Sequence, residues 1–316
     1  MELILILAGL ALLIFGGDYL VKGASGLALK FSMPPVLIGM TVVAIGTSAP
    51  ELVVSLQAAL IGKPDISIGN VVGSNIANVG LILGITALVF PVAIRKDVIR
   101  YDWTAMMLAS FLFFFAGFDG VVQRWEGIAF VALLAGYIGY SFYRVSKKPK
   151  TEKIIPKEVK DVRHRKLAVL IAFVVFGSAG LVFGAKWFLE GAEMVARNFG
   201  VSDRVIAITL VAFGTSVPEL AASIIAAIKK EDELFIGNII GSNLFNVLAI
   251  IGITAGVHPI DFSSDILSYD IFWMLGLSFL ILPMGLLGKK LSRIDGLILL
   301  GVYCLYIYLV LSSGGV

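Results

Sequence analysis

The sequence predicts an all-α polytopic membrane protein with ten transmembrane helices, arranged as two inverted five-helix repeats. Three observations predict it. The 316 residues are 59% hydrophobic and only 15% charged, whereas about a quarter of the residues in a soluble domain are charged. Apolar runs long enough to span a bilayer, about 20 residues each, follow one another with little between them. Residues 46–52, GTSAPEL, return as GTSVPEL at 214–220, and the register of that repetition extends far on either side.

The apolar spans read as 3–20, 36–61, 66–90, 103–120, 126–145, 167–189, 204–228, 234–257, 269–288 and 293–312. The first carries an acidic residue at position 2, no basic stretch and no small-residue cleavage site, which reads as a retained helix. Asp18, Lys22, Glu190 and Glu193 fall near predicted helix ends, where snorkelling or solvation accommodates them. Asp97, Asp102, Asp265 and Asp270 flank the fourth and ninth spans as interface markers, and Trp103, Trp125, Trp187 and Trp273 read as interfacial anchors. The Phe-rich FLFFFAGF (111–118) reads as lipid-facing bulk. The polar stretch SKKPKTEKIIPKEVKDVRHRK (146–166) is a solvated basic loop between a first repeat at 1–145 and a second at 167–316.

Basic residues set the orientation. With the N-terminus outside, 20 of the 25 Lys and Arg residues fall in inside connections, among them Lys22, Lys30, Lys229 and Lys230. The positive-inside rule then puts the 146–166 loop in the cytoplasm and both termini outside a cell membrane.

At a constant offset of 168 residues, Gly16 meets Gly184, Thr41 meets Thr209, Glu51 meets Glu219, Ser74 meets Ser242 and Asn78 meets Asn246. Tyr101-Asp102 and Tyr269-Asp270 still match. Five helices per repeat is an odd number, so the second copy enters the membrane from the opposite side, the inverted arrangement of secondary transporters with a midplane site.

Glu51 and Glu219 are each sixteenth in their runs. At 1.5 Å per residue this is roughly 20 Å into a hydrocarbon core about 30 Å thick. An acidic residue there costs about 2.5–3.5 kcal/mol and is functional by default. Thr47, Ser48, Glu51 and Ser55 share a helical face, as do Thr215, Ser216, Glu219 and Ser223. Pro50 lacks an N–H and clashes with the preceding turn, which predicts a break near Ala44–Thr47 and carbonyls freed to act as ligands. The next helix of each repeat carries Asn70, Ser74 and Asn78, or Asn238, Ser242 and Asn246, four residues apart. Its glycine pairs, Gly69/Gly73 and Gly237/Gly241, read as close helix packing, while Asn75 and Asn243 are either interhelical hydrogen-bonding residues or part of the site.

These donors are carboxylates, hydroxyls, amides and carbonyls. Oxygen-only coordination suits Ca²⁺, Na⁺, K⁺ or Mg²⁺ rather than Zn²⁺ or Cu. One Ca²⁺ neutralises two carboxylates, and several Na⁺ balance them as well. The single cysteine, Cys304, and the two histidines, His164 and His258, leave almost no material for a Cys- or His-based catalytic dyad.

The paired GTSAPEL/GTSVPEL and GNVVGSNIAN/GNIIGSNLFN segments resemble the two alpha repeats of the sodium/calcium exchanger family, in the calcium/cation antiporter superfamily. The resemblance spans both halves, with the alpha motifs at 36–90 and 204–257. It implies calcium ligation by Glu51 and Glu219, with backbone carbonyls from Thr47 and Thr215. It implies flanking sodium sites that use the carbonyls of Ala44 and Ala212 and the hydroxyls of Ser48, Ser216, Ser74 and Ser242, with Asn78 as the amide of the first repeat. Where many members have an aspartate, this chain has Asn246, which leaves ion stoichiometry and potassium dependence open. No GNxxE-type motif of the proton-coupled branch is found in place of GTSxPE, so sodium coupling is favoured.

The expectation is therefore a sodium/calcium antiporter working by alternating access, with Ca²⁺ and Na⁺ as substrates and the bilayer as surroundings. No enzyme activity, cofactor, nucleic acid or obligatory protein partner is implied. A calcium/proton or potassium-dependent exchanger is the alternative, followed by a cation channel.

Overall fold

The computed structural model describes residues 1–147, 162, 164–199, 214–287 and 290–312. Among these, eight helices are long and apolar enough to cross a membrane, or nine if one bent pair is a single span. In chain order the helices are α1 (Glu2–Lys30), α2 (Pro35–Thr47), α3 (Ala49–Leu60), α4 (Pro64–Val89), α5 (Val98–Ala116) and α6 (Arg124–Ser146). They continue with α7 (Leu167–Asn198), α8 (Val217–Ile228), α9 (Asp232–Val257), α10 (Ile266–Leu286) and α11 (Arg293–Ser312). The first part of the expected seventh span and most of the 146–166 loop lie outside the described residues.

The residues divide into two compact units, each drawing on both halves of the sequence. Unit one comprises Met1–Pro50 and Ile138–Gly241. Its main packing is α1 against α7, antiparallel, along a seam of glycines. Gly9, Gly16 and Gly23 recur every seventh residue, as do Gly177, Gly184 and Gly191, and seven residues is close to two helical turns. A Cβ on Gly16 would lie 2.9 Å from the Gly177 carbonyl oxygen, and one on Gly9 would lie 2.8 Å from that of Gly184. Likewise Gly23 abuts the Leu170 carbonyl and Gly191 that of Glu2. Each contact is repeated by its partner at the 168-residue offset. The backbones touch because no side chain stands between them. In the same unit Gly237 packs on Val36 and Gly241 on Met40, so the second glycine pair does bring helices together. Around Gly69 and Gly73, nothing among the described residues lies within 4 Å of a built Cβ.

Unit two comprises Glu51–Tyr137 and Ser242–Val316. Glycines again set close crossings: Gly84 of α4 against Gly296 of α11, and Gly127 of α6 against Gly252 of α9. Two short antiparallel ladders clip helix ends together. Strand β1 (Val92–Ala93) pairs with β4 (Lys290–Leu291), and β2 (Val121–Val122) pairs with β3 (Ile260–Asp261). These contacts are reciprocal too, with the offset growing to 169 after Asp102/Asp270 because the second copy is one residue longer there.

Several sequence expectations change. Helices α1 and α7 run well past the expected spans 3–20 and 167–189, so Lys22 and Lys30 lie within a helix rather than in a connection. Asp18 is neither snorkelled nor merely solvated: it pairs with Lys22 at 2.8 Å and with Lys229, just past α8, at 2.6 Å. Asp102 is buried and accepts a hydrogen bond from the Tyr137 hydroxyl at 2.7 Å, and Asp270 accepts one from Tyr306 at 3.0 Å. Trp103 is buried as well, its indole N–H donating to the Ser278 carbonyl at 2.8 Å, whereas Trp125 and Trp187 are exposed. Within FLFFFAGF, Phe113 is fully buried while Phe111, Phe115 and Phe118 are exposed.

Candidate cation site

The GTSxPEL motif interrupts a helix and starts another. Helices α2 and α3 meet at a 50° bend, and the residue between them, Ser48, has left helical geometry at φ −87°, ψ 9°. The break therefore falls at Ser48, one residue beyond the expected Ala44–Thr47 turn, which stays helical. The Ala44 carbonyl is not freed by it, since it still accepts the Ser48 N–H at 2.9 Å. The carbonyl that Pro50 deprives of a helical donor is that of Gly46, four residues back. In the second copy α8 opens after Ser216, with Pro218 in its first turn.

The consequence for the carboxylates is direct. Glu51 lies in the first turn of α3 and Glu219 in the first turn of α8. First-turn N–H groups and the helix dipole favour negative charge there. Proline fits the start of a helix because its missing N–H is not needed. The motif thus builds a helix N-terminus inside an apolar run and seats a carboxylate on it. Each glutamate is 1% exposed.

In unit one, Ser48 Oγ donates to Glu219 Oε1 at 3.0 Å, and Glu219 Oε2 has no hydrogen-bond partner among the described residues. Thr47 is buried, its hydroxyl 3.4 Å from the Ala44 carbonyl and 3.5 Å from Asn238 Oδ1. Ser216 is buried with its hydroxyl unpartnered among the described residues, and Thr215 is half-buried. Ala212 lies outside the described residues.

In unit two, Asn70 braces α3 against α4. Its amide donates to Ser55 Oγ at 2.9 Å and to the Glu51 carbonyl at 3.2 Å, while Ser55 donates to the Ser67 carbonyl at 3.2 Å. Ser74, Asn78, Ser242 and Asn246 are all buried. Asn78 and Asn246 each begin a widened, π-helical turn, Asn78–Leu83 in α4 and Asn246–Ile251 in α9. Such turns concentrate at functional sites, and a reading at 3.6 residues per turn gave no sign of them. Asn78 donates to Asn243 Oδ1 at 2.9 Å, and Asn246 donates to Asn75 Oδ1 at 3.0 Å. Asn75 and Asn243 are therefore interhelical hydrogen-bonding residues. The carbonyl oxygens of Asn78 and Asn246 are left buried and unpartnered among the described residues.

A buried polar atom without a partner costs about 1–3 kcal/mol. Unit one leaves such oxygens on Glu219 and Ser216, and unit two leaves them on Ser242, Asn78 and Asn246; carboxylate, hydroxyl and amide oxygens are the ligands that hard cations take.

Comparison with known proteins matches the same regions. The model of the family described as sodium/calcium exchanger protein matches residues 1–143 and 169–312. The chain is 32% identical to the sodium/calcium exchanger MaX1 of Methanosarcina acetivorans, over 96% of this chain and 97% of that one. It is 36% identical to the inner membrane protein YrbG of Escherichia coli, over 81% of this chain and 79% of that one. A solved structure of the sodium-calcium exchanger NCX_Mj superposes with a TM-score of 0.83 at 30% identity, covering 97% of this chain and 98% of that one. MaX1 and NCX_Mj, as exchangers, are transporters rather than enzymes. The chain is a multi-pass membrane protein and belongs to the sodium/calcium exchanger family.

Proposed function

We propose that the chain is a sodium/calcium antiporter that moves Ca²⁺ against Na⁺ by alternating access at one site built on Glu51 and Glu219. The observation that carries this reading is the motif geometry: two buried carboxylates, each on a helix N-terminus made by a proline break, in a chain of this family. Two carboxylates hold one Ca²⁺ or a set of Na⁺, so the ions compete for shared ligands and exchange follows.

The supporting ligands in this reading are the carbonyls of Thr47, Thr215 and Ala212, the Ala44 carbonyl through the lone pair its helical bond leaves over, the hydroxyls of Ser48, Ser216, Ser74 and Ser242, and the amide oxygens of Asn78 and Asn246. Ten spans in two inverted repeats, with both termini outside and the 146–166 loop cytoplasmic, make the site reachable from either side. Helices α1 and α7 move as the gate; their glycine seam supports this role because it packs the two helices backbone to backbone, so that they move together.

The test is calcium uptake into proteoliposomes loaded with Na⁺, K⁺ or a proton gradient in turn. Uptake is expected to follow the outward Na⁺ gradient. Uptake that ignores it, or current with no counter-ion, contradicts the proposal and points to another coupling ion or a channel. Asn246→Asp adds a titratable charge beside the amide oxygens, and it is expected to shift the sodium-to-calcium ratio or the pH response of transport. A variant with both unchanged would remove Asn246 from the coupling mechanism.

A further inference from the structure

We infer that Asn75 and Asn243 are positioning residues that orient the side-chain amides of Asn246 and Asn78, so that their oxygens rather than their NH₂ groups are presented to a cation. This rests on the exchange reading above only in taking those two amides as ligands.

An asparagine has a problem that an aspartate lacks. The two ends of its amide are nearly the same size, but one end accepts and the other donates. Turned the wrong way, the group aims two N–H bonds at a cation. An ion site that uses asparagine therefore needs something to hold the amide, and this chain has asparagine at both 78 and 246.

The four side chains supply the hold among themselves, all in unit two and each at most 2% exposed. Asn246 donates to Asn75 Oδ1 at 3.0 Å, and Asn78 donates to Asn243 Oδ1 at 2.9 Å. The two bonds are related by the 168-residue offset, with 78 and 246 as donors and 75 and 243 as acceptors. Donation engages an N–H of each NH₂ end and turns the Oδ1 atoms of Asn78 and Asn246 away, where they are buried and unpartnered among the described residues. Asn75 is itself fixed: its NH₂ lies 3.3 Å from the Asn243 main-chain carbonyl and 3.6 Å from Met274 Sδ, so its oxygen faces Asn246. Asn243 Nδ2 has no partner among the described residues, which makes Asn75 the firmer of the two clamps.

The test is a double-mutant cycle on equilibrium cation binding to the purified full chain in detergent. It reads the Ca²⁺ concentration that half-saturates the protein and the Na⁺ concentration that half-displaces Ca²⁺. Asn75→Leu keeps the branched outline of the side chain and removes the clamp; one of the two concentrations should rise about tenfold, or about 1.4 kcal/mol. In the Asn246→Asp background the same substitution should cost nothing further, because a carboxylate presents oxygen at both ends. Unchanged values for Asn75→Leu, or an equal loss in both backgrounds, would overturn the inference, the latter revealing a packing defect. If Asn75→Leu does not fold, Asn243→Leu with Asn78→Asp tests the related contact by the same criteria. Sodium-driven uptake by the wild-type chain, run in parallel, separates the two readings. Uptake without the binding effect defeats only the asparagine inference, and the binding effect without uptake defeats only the exchange proposal.

Discussion

Glu219→Gln is expected to abolish sodium-driven calcium uptake while leaving the protein folded. The substitution keeps the shape of the side chain and can still accept the Ser48 hydroxyl, now 3.0 Å from Oε1. What it removes is the charge, and it puts an NH₂ where a carboxylate oxygen stood. Breaking one partner of a buried, hydrogen-bonded charge contact costs about 2–5 kcal/mol, a factor of roughly 30 to several thousand in affinity. Glu51→Gln is expected to do the same, because Glu51 occupies the equivalent first-turn position of α3 at the same burial. Uptake into proteoliposomes at matched protein amounts checks both; near-normal uptake by either variant would remove that residue from the site.

The second large effect is expected at the glycine seam. A Cβ on Gly177 would sit 2.5 Å from the Leu20 main-chain N and 2.8 Å from the Gly16 carbonyl oxygen. Both neighbours are helical backbone and cannot turn aside as a side chain can. Gly177→Val or Gly16→Val must therefore push α1 and α7 apart along their length. Overpacking a well-filled interior typically costs about 1–3 kcal/mol, and backbone-to-backbone contact puts these variants at the upper end. The readouts are thermal stability in detergent and transport rate, and both should fall. Gly136→Ala is the control: it lies in α6 with nothing among the described residues within 4 Å of its Cβ, so both readouts should hold. If the Gly16 and Gly177 variants behave like the control, the seam does not carry the packing of unit one.

Much of this is legible in the sequence. The 168-residue register correctly paired residues whose contacts prove reciprocal, and the mid-run proline beside a carboxylate marked the bend. The heptad spacing of Gly9, Gly16 and Gly23 is visible too, but spacing does not name a partner, and the adjacent Gly17 faces Ile225 of α8 instead. Helices α1 and α7 are longer than their apolar spans because hydropathy ends a span at its first charges. Asp18 with Lys22, and Glu193 with Arg197, sit one helical turn apart and neutralise one another without ending the helix. The burial of Asp102 and Trp103 was hidden for a related reason: each meets its hydrogen-bond partner from a distant part of the chain. The π-helical turns at Asn78 and Asn246 had no sequence signal of their own, since an i→i+5 turn uses the same residue types as the helix around it. The direction of the asparagine hydrogen bonds was equally beyond composition and spacing, because all four residues are the same amino acid.

Exchange at one shared two-carboxylate site is tested most directly by equilibrium binding of radioactive calcium to the purified protein, titrated with Na⁺. One Ca²⁺ per chain is expected, displaced fully and competitively by Na⁺, with binding lost in Glu51→Gln and in Glu219→Gln. Calcium that stays bound at saturating Na⁺, or that still binds when both glutamates are replaced, would contradict it.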